Sequence, residues 1–168
     1  MREIRIAKIV LNAGCGVKTP LDKAKIIIEK VSGRKAVITK TRRRTTFNVP
    51  KNKPIGCMVT VRSGTTDFLK KLLQARENKL RASNFDDNGN FSFGIPEYID
   101  VPGMEYEPKI GMLGFDVAVA LERPGYRVRR KRISGKVGKS HAISTAEAME
   151  FVRKNFGVKI ESDNEQSS

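Results

Sequence analysis

The chain has 168 residues, is 39% hydrophobic, and carries 33 Lys and Arg against 18 Asp and Glu, a formal net charge of +15. That length and apolar content suffice for one well-packed domain, expected over residues 1–160, and a charge of this size favours an anionic partner. No apolar run approaches the ~18 residues of a membrane span, no signal-peptide pattern opens the chain, and no basic amphipathic helix suggests a membrane surface.

In chain order, Glu3 to Leu11 is β-like, with an alternation that slips near Ala7 and Lys8, where a bulge or two-sided burial is expected. Asn12 to Gly16 reads as a small-residue turn. Thr19, Pro20 and Asp22 form a helix start, with Thr19 as N-cap and Pro20 in the first helical position. Leu21, Ala24, Ile28 and Val31 give that helix an apolar stripe, and Ser32-Gly33 stops it. Ala36 to Thr39 is short and β-branched. From Ile55 to Arg62 the pattern alternates: Ile55, Cys57, Val59 and Val61 on one face, with Thr60 and Arg62 together on the other. Between these two strands lies a loop bearing Arg42, Arg43, Arg44, Lys51 and Lys53, bounded by Pro50 and Pro54. Five like charges on one loop repel each other unless a polyanion neutralises them.

A second helix opens at Gly64-Thr65-Thr66-Asp67, with Phe68, Leu69, Leu72, Leu73 and Leu80 as its apolar face and Lys70, Lys71, Arg76 and Lys79 outside. Asn84 to Gly94 is rich in turn residues and becomes strand-like at Phe91, Phe93 and Ile95. Pro96 to Gly114 reads as an irregular excursion. Phe115, Val117, Val119 and Leu121 alternate with polar or small residues as a strand. Arg123 to Lys139 is a second basic stretch. Ser144 and Glu147 form a capping box for a last helix that runs to Phe156 and ends at Gly157, and residues 161–168 are expected to be a disordered polar tail. The pattern as a whole predicts an α+β fold, a two-layer sandwich with helices on one face of a largely antiparallel sheet and basic loops projecting from it.

The chemistry of the residues argues against an enzyme. Gly14-x-Gly16 before a helix is a weak echo of a dinucleotide fingerprint, but Thr19 occupies the third glycine position and no suitable acid follows. His141 is the one histidine, which leaves no His-based acid–base pair or metal cluster, and it reads as a loop residue near RNA or solvent. Asp86 to Gly89 resembles the opening of a calcium loop without its closing Glu, so it reads as a turn. No cofactor and no metal are expected. Cys15 and Cys57 fit free buried thiols in a reducing cytosol, although spacing does not exclude a disulfide.

Binding explains more. The excess charge falls in two acid-free windows, Lys30–Thr66 and Arg123–Ala146, the first with ten cations. The second interleaves Tyr126, Val128 and Ile133 with Arg127, Arg129, Arg130, Lys131, Arg132 and Lys136, a segment that would order on phosphate. The absence of a helix–turn–helix or zinc-finger pattern, with basic loops on a sheet, tilts the reading to RNA. A sequence-indifferent DNA- or RNA-coating protein is the other binding class.

Four stretches in order, SGRKAVITKTRRR, PIGCMVTVRSG, SNFDDNGNFSFGI and FDVAVALERPGYRVRRKR, resemble the large-subunit ribosomal protein five family, in its archaeal branch, over residues 2–160. The resemblance implies a cytoplasmic, non-catalytic constituent of the central protuberance of the large ribosomal subunit. Its implied partners are 5S rRNA, large-subunit rRNA, P-site tRNA, small-subunit ribosomal protein thirteen and other ribosomal proteins. It places 5S rRNA contacts at Asn12, Gly14, Thr60, Arg62 and Arg34, the last standing where the family often has Gln. The neighbouring cations Lys40, Arg42 and Arg43 join that expected set. The implied tRNA loop comprises Arg44, Thr45, Thr46, Phe47, Asn48, Lys51 and Asn52, and the implied intersubunit bridge falls loosely on Asp100–Gly114. The second basic stretch, Arg127 to Lys136, is expected on other rRNA.

Overall fold

The computed structural model describes residues 2–15, 21–44 and 49–161. Its frame is a sheet of five strands, β1 (Arg5–Gly14), β2 (Val37–Lys40), β3 (Pro54–Val61), β5 (Phe91–Ile95) and β6 (Phe115–Glu122). They run in the order β2-β3-β1-β6-β5, every neighbouring pair antiparallel. A parallel pair, β4 (Lys79–Arg81) with β7 (Lys159–Glu161), stands apart. The helices are α1 (Leu21–Ser32), α2 (Thr65–Gln74), the four-residue α3 (Arg127–Arg130) and α4 (Thr145–Phe156). The architecture is the expected α+β one.

Alternation in the strands decides the two faces. On the covered side Ile9, Leu11 and Ala13 of β1, Cys57, Val59 and Val61 of β3, and Val117, Val119 and Leu121 of β6 are all buried. They share one core with Ile27 and Ile28 of α1, Leu69, Leu72 and Leu73 of α2, and Val152 of α4. Each fully buried aliphatic side chain contributes about 1.5–3 kcal/mol of transfer free energy, so the covered face holds the sheet in register. The slip in β1 is a bulge: the pairing with β6 shifts between Ile6 and Lys8. The extra residue lets Ile6 pair with Leu121 and Ile9 with Val119, so both isoleucines lean on the core while Lys8 turns outward.

Helix ends follow the sequence signals where the residues are described. Ser144 Oγ accepts from the Glu147 N–H while the Glu147 carboxylate accepts from the Ser144 N–H, and Gly157 closes α4 at φ 64°. Gly33, at φ 63°, follows α1 in the left-handed conformation that stops it. The expected caps Thr19 and Pro20, and the tail beyond Glu161, lie outside the described residues.

Three expectations differ from the structure. Asn12 to Gly14 is not a turn but the continuation of β1, because Ala13 and Cys15 are small enough to keep the buried side of the alternation going. Leu80 is not on the second helix. Glu77 and Asn78 take φ of 53° and 54°, ending α2 near Gln74 and sending the chain into β4. Glu161, placed in the tail, closes β7 opposite Arg81.

Candidate nucleic-acid interface

The uncovered face of the sheet is built in rows by the strand register. Asn12 lies opposite Met58 on one side and Asp116 on the other, and Asp116 lies opposite Gly94. One step along, Val10 sits between Thr60 and Ala118, with Ser92 beyond. Lys8 faces Ala120, and Gly14 faces Gly56. Glycine, alanine and serine keep the middle of this face low, while polar and cationic side chains rise around it. A flat polar sheet bordered by cations suits stacked bases and phosphates.

Arg62 is exposed one residue past β3, and Thr60 is half-buried on the same face. Arg62 lines a cavity of about 420 Å³ with Lys8 of β1 and with Arg129 and Arg130 of α3. The two acid-free windows therefore meet in space, because β1 lies between β3 and β6 and the second window leaves the end of β6. Glu122 tempers this cluster: its carboxylate accepts from Arg5 at 3.3 Å and from Arg130. Arg62 enters no ion pair among the described residues.

Arg34 follows α1, exposed, and its guanidinium donates to the backbone carbonyl and hydroxyl of Ser63. That bond holds the end of α1 against the segment carrying Arg62. Lys40 is exposed at the end of β2, the edge strand, opposite Pro54. Arg42, Arg43 and Arg44 are exposed beyond it, as are Lys51 and Asn52 on the returning side of the loop. Thr45, Thr46, Phe47 and Asn48 lie outside the described residues. Thr41, which sequence reasoning passed over, clasps the base of this loop. Its hydroxyl donates to the Pro50 carbonyl at 2.6 Å and accepts from the Lys53 N–H at 3.0 Å, while its carbonyl accepts from the Asn52 N–H at 2.9 Å. The clasp directs both arms of the loop, and Asn52 takes φ 65° to complete it.

In the second window, Arg127, Arg129, Lys131, Arg132 and Lys136 are exposed and Arg130 is held by Glu122. Arg123 behaves differently. It is 5% exposed and donates to the His141 and Ala142 carbonyls at 3.2 and 3.1 Å and to the Glu147 carboxylate at 2.8 Å. It ties the basic segment to the N-terminus of α4 and is no RNA contact. His141 is likewise structural rather than a solvent-facing loop residue: Nε2 lies 2.9 Å from the Pro124 carbonyl, and its ring packs edge-on to Tyr126 at 5.7 Å. The Tyr126 hydroxyl in turn donates to the His141 carbonyl and accepts from the Ile143 N–H.

The two cysteines are free and buried. Burial pushes the Cys57 thiol up to about 11, with the neighbouring Cys15 adding to the shift, and burial raises Cys15 as well. Such thiols are inert at neutral pH. Asp86 closes the turn read from the sequence, its carboxylate accepting from the Asn88 and Asn90 N–H groups at 3.0 and 2.6 Å. Among the described residues no group of three or more His, Cys, Asp and Glu is placed to hold a metal ion, and no helix is long and apolar enough to cross a membrane.

Comparison with known proteins fits this geometry. A family model for the C-terminus of the ribosomal protein uL5 family matches residues 54–151, from β3 into α4. Proteins named large ribosomal subunit protein uL5 are similar over almost the whole chain. That of Nanoarchaeum equitans is 44% identical over 95% of this chain and 97% of its own length. That of Cenarchaeum symbiosum is 43% identical over the same shares, and that of Methanosphaera stadtmanae 38% over 96% and 98%.

Proposed function

Because the chain belongs to the ribosomal protein uL5 family, and is thereby a non-catalytic structural constituent of the large ribosomal subunit, we propose that its uncovered sheet face binds 5S rRNA. The observation that carries this is the meeting of the two cationic windows at Lys8, Arg62, Arg129 and Arg130 beside the low rows of Asn12 and Thr60. Within this reading Asn12, Gly14, Arg34, Thr60 and Arg62 contact 5S rRNA, joined by Lys40, Arg42 and Arg43 where the loop leaves the sheet. Arg34 acts partly by holding Ser63, and so the backbone beside Arg62. The remaining exposed cations from Arg127 to Lys136 take large-subunit rRNA.

The clasped loop from Arg44 to Asn52 is proposed to reach P-site tRNA, away from the sheet face. The excursion from Asp100 to Gly114 is proposed as the bridge to small-subunit ribosomal protein thirteen. Exposed Tyr106 and Met112 on this excursion offer apolar surface for a protein neighbour, and Tyr98 anchors it, its hydroxyl accepting from the Glu107 N–H at 2.9 Å. All of these roles fall within one domain spanning residues 1–160.

The test is a titration of the purified protein against 5S rRNA, random RNA of equal length and duplex DNA. The expected result is preference for 5S rRNA that persists as total affinity falls with salt. The slope should be about 0.7–0.9 log units per log unit of salt for each neutralised phosphate. Equal affinities for all three at physiological salt would instead identify a sequence-indifferent coating protein.

A further inference from the structure

At the end of the sheet where β1 and β5 finish and β6 begins, a groove of about 440 Å³ is lined by Gly14, Arg76, Gly94, Gly114 and Asp116. Three features of it are unexplained by the fold. Asp116 stands exposed on the proposed RNA-binding face, in a chain of net charge +15, and makes no ion pair among the described residues. A carboxylate repels phosphate, so on such a face it is costly unless it accepts hydrogen bonds from something the RNA presents. Arg76, at the other wall, has a buried Nε without a hydrogen-bond partner. Gly14 needs to be glycine for no internal reason: its φ is not positive, and a Cβ there would meet nothing within 4 Å. A side chain at that position would simply stand in the groove. Gly114 is different, since a Cβ would come within 2.5 Å of the Pro96 carbonyl, so its smallness is structural.

An acceptor on one wall, a donor fork on the other and an open glycine floor select among nucleobases. On its Watson–Crick edge guanine presents two adjacent donors, N1–H and the N2 amino group, which match the two oxygens of a carboxylate. Its O6 and N7 accept from arginine. Cytosine and adenine each present one amino donor beside ring acceptors that a carboxylate repels, and uracil one imino donor between two carbonyls. We propose that this groove receives an unpaired guanine of the bound RNA, with its Watson–Crick edge on Asp116, its O6 and N7 toward Arg76, and its plane over Gly14. The proposal rests on the RNA-binding reading of the sheet face and adds to it a base that is read rather than merely neutralised.

The experiment pairs affinity with atomic substitution in the RNA. The protein and its Asp116→Ser, Gly14→Val and Arg62→Ala variants are titrated with a 5S rRNA transcript and with random RNA of equal length. Each is also selected on transcripts carrying sparse inosine for guanosine, which removes the N2 amino group. Asp116→Ser should weaken 5S rRNA binding about tenfold or more while strengthening random RNA binding, because a repelling charge is gone. Gly14→Val should weaken 5S rRNA binding and unfold at the same temperature as the unaltered protein. Inosine should interfere at a guanine with the unaltered protein and with Arg62→Ala, and no longer with Asp116→Ser. Stronger binding of both RNAs by Asp116→Ser, or an inosine pattern that this variant leaves unchanged, overturns the guanine groove and leaves the 5S reading standing. Equal affinity of the unaltered protein for both RNAs overturns the 5S reading itself and the groove with it.

Discussion

Val61 and Arg62 are adjacent in the chain and opposite in consequence. Val61 is 3% exposed in the core, whereas Arg62 projects past β3 into the cationic cavity. Val61→Ala should lower the unfolding free energy by about 1–3 kcal/mol, and the folded fraction should keep its RNA affinity. Arg62→Ala should leave thermal unfolding unchanged and cost about 1–3 kcal/mol of 5S rRNA binding, since a guanidinium fork on phosphate or a base edge is lost. Exchanged phenotypes in urea titration and filter binding would mean a strand register wrong by one residue. Cys57 gives a second test at this scale. Its folded thiol holds its proton up to about 11 because it is buried, while the unfolded thiol releases it near the ordinary value of 9.0. The folded state thus binds more protons between those values, and stability falls as pH rises through them. Urea midpoints measured from pH 8 to 11 should decline less steeply in Cys57→Ala than in the unaltered chain, since lysines and tyrosines titrate alike in both.

Helix α4 shows how an element can be set by two residues and then used by a third. Ser144 and Glu147 close the capping box, and the same Glu147 carboxylate receives the buried Arg123. The Ser144 N–H first, and Arg123 second, hold the Glu147 carboxyl below its ordinary value. A depressed carboxylate contributes stability above its unfolded value and loses it as pH falls through the folded one. Ser144→Ala should cost about 1 kcal/mol, and Glu147→Gln should flatten the acid limb of the stability profile, both read from thermal melts between pH 2 and 7. The capping box was legible because its spacing is local, as were β3, β5 and β6, whose strict alternation reflects burial of one face. β4 and β7 were not legible, because three residues of edge pairing leave no periodic signature. The extension of β1 to Gly14 was hidden by composition: Asn12, Ala13 and Gly14 are turn residues, yet a flat face needs small ones. Thr41 was invisible for another reason. Its role depends on Pro50, Asn52 and Lys53 returning beside it, which only the β2–β3 pairing decides.

At the scale of the molecule, charge is distributed by topology rather than by sequence position. Thr60 and Arg62 were readable as a pair from alternation alone, but their convergence with Arg129 and Arg130 depends on β1 separating β3 from β6. The loop cations follow the opposite logic, leaving the sheet at its β2 edge with both arms fixed by the Thr41 clasp. Surfaces held apart by a rigid sheet need not share one RNA, so tRNA and 5S rRNA binding should be separable. The test replaces residues 44–49 with a Gly/Ser link of equal length and retains Arg42, Arg43, Thr41 and its partners Pro50, Asn52 and Lys53. The clasp then still closes the loop, and the core residues of β3 are untouched, so thermal unfolding should be unchanged. One cation, Arg44, is removed, so the salt slope for 5S rRNA should fall by no more than one neutralised phosphate, about 0.7–0.9 units. Ribosomes assembled with the variant should sediment normally and release P-site tRNA faster than those with the unaltered protein. If Arg42, Arg43 and Arg44 instead act as one patch with Arg62, the replacement abolishes 5S rRNA binding and no large subunit incorporates the chain. Loss of incorporation with an intact melting curve is therefore the outcome that would reject separate surfaces. Normal sedimentation with a shortened tRNA residence time is the one that division of the two surfaces requires.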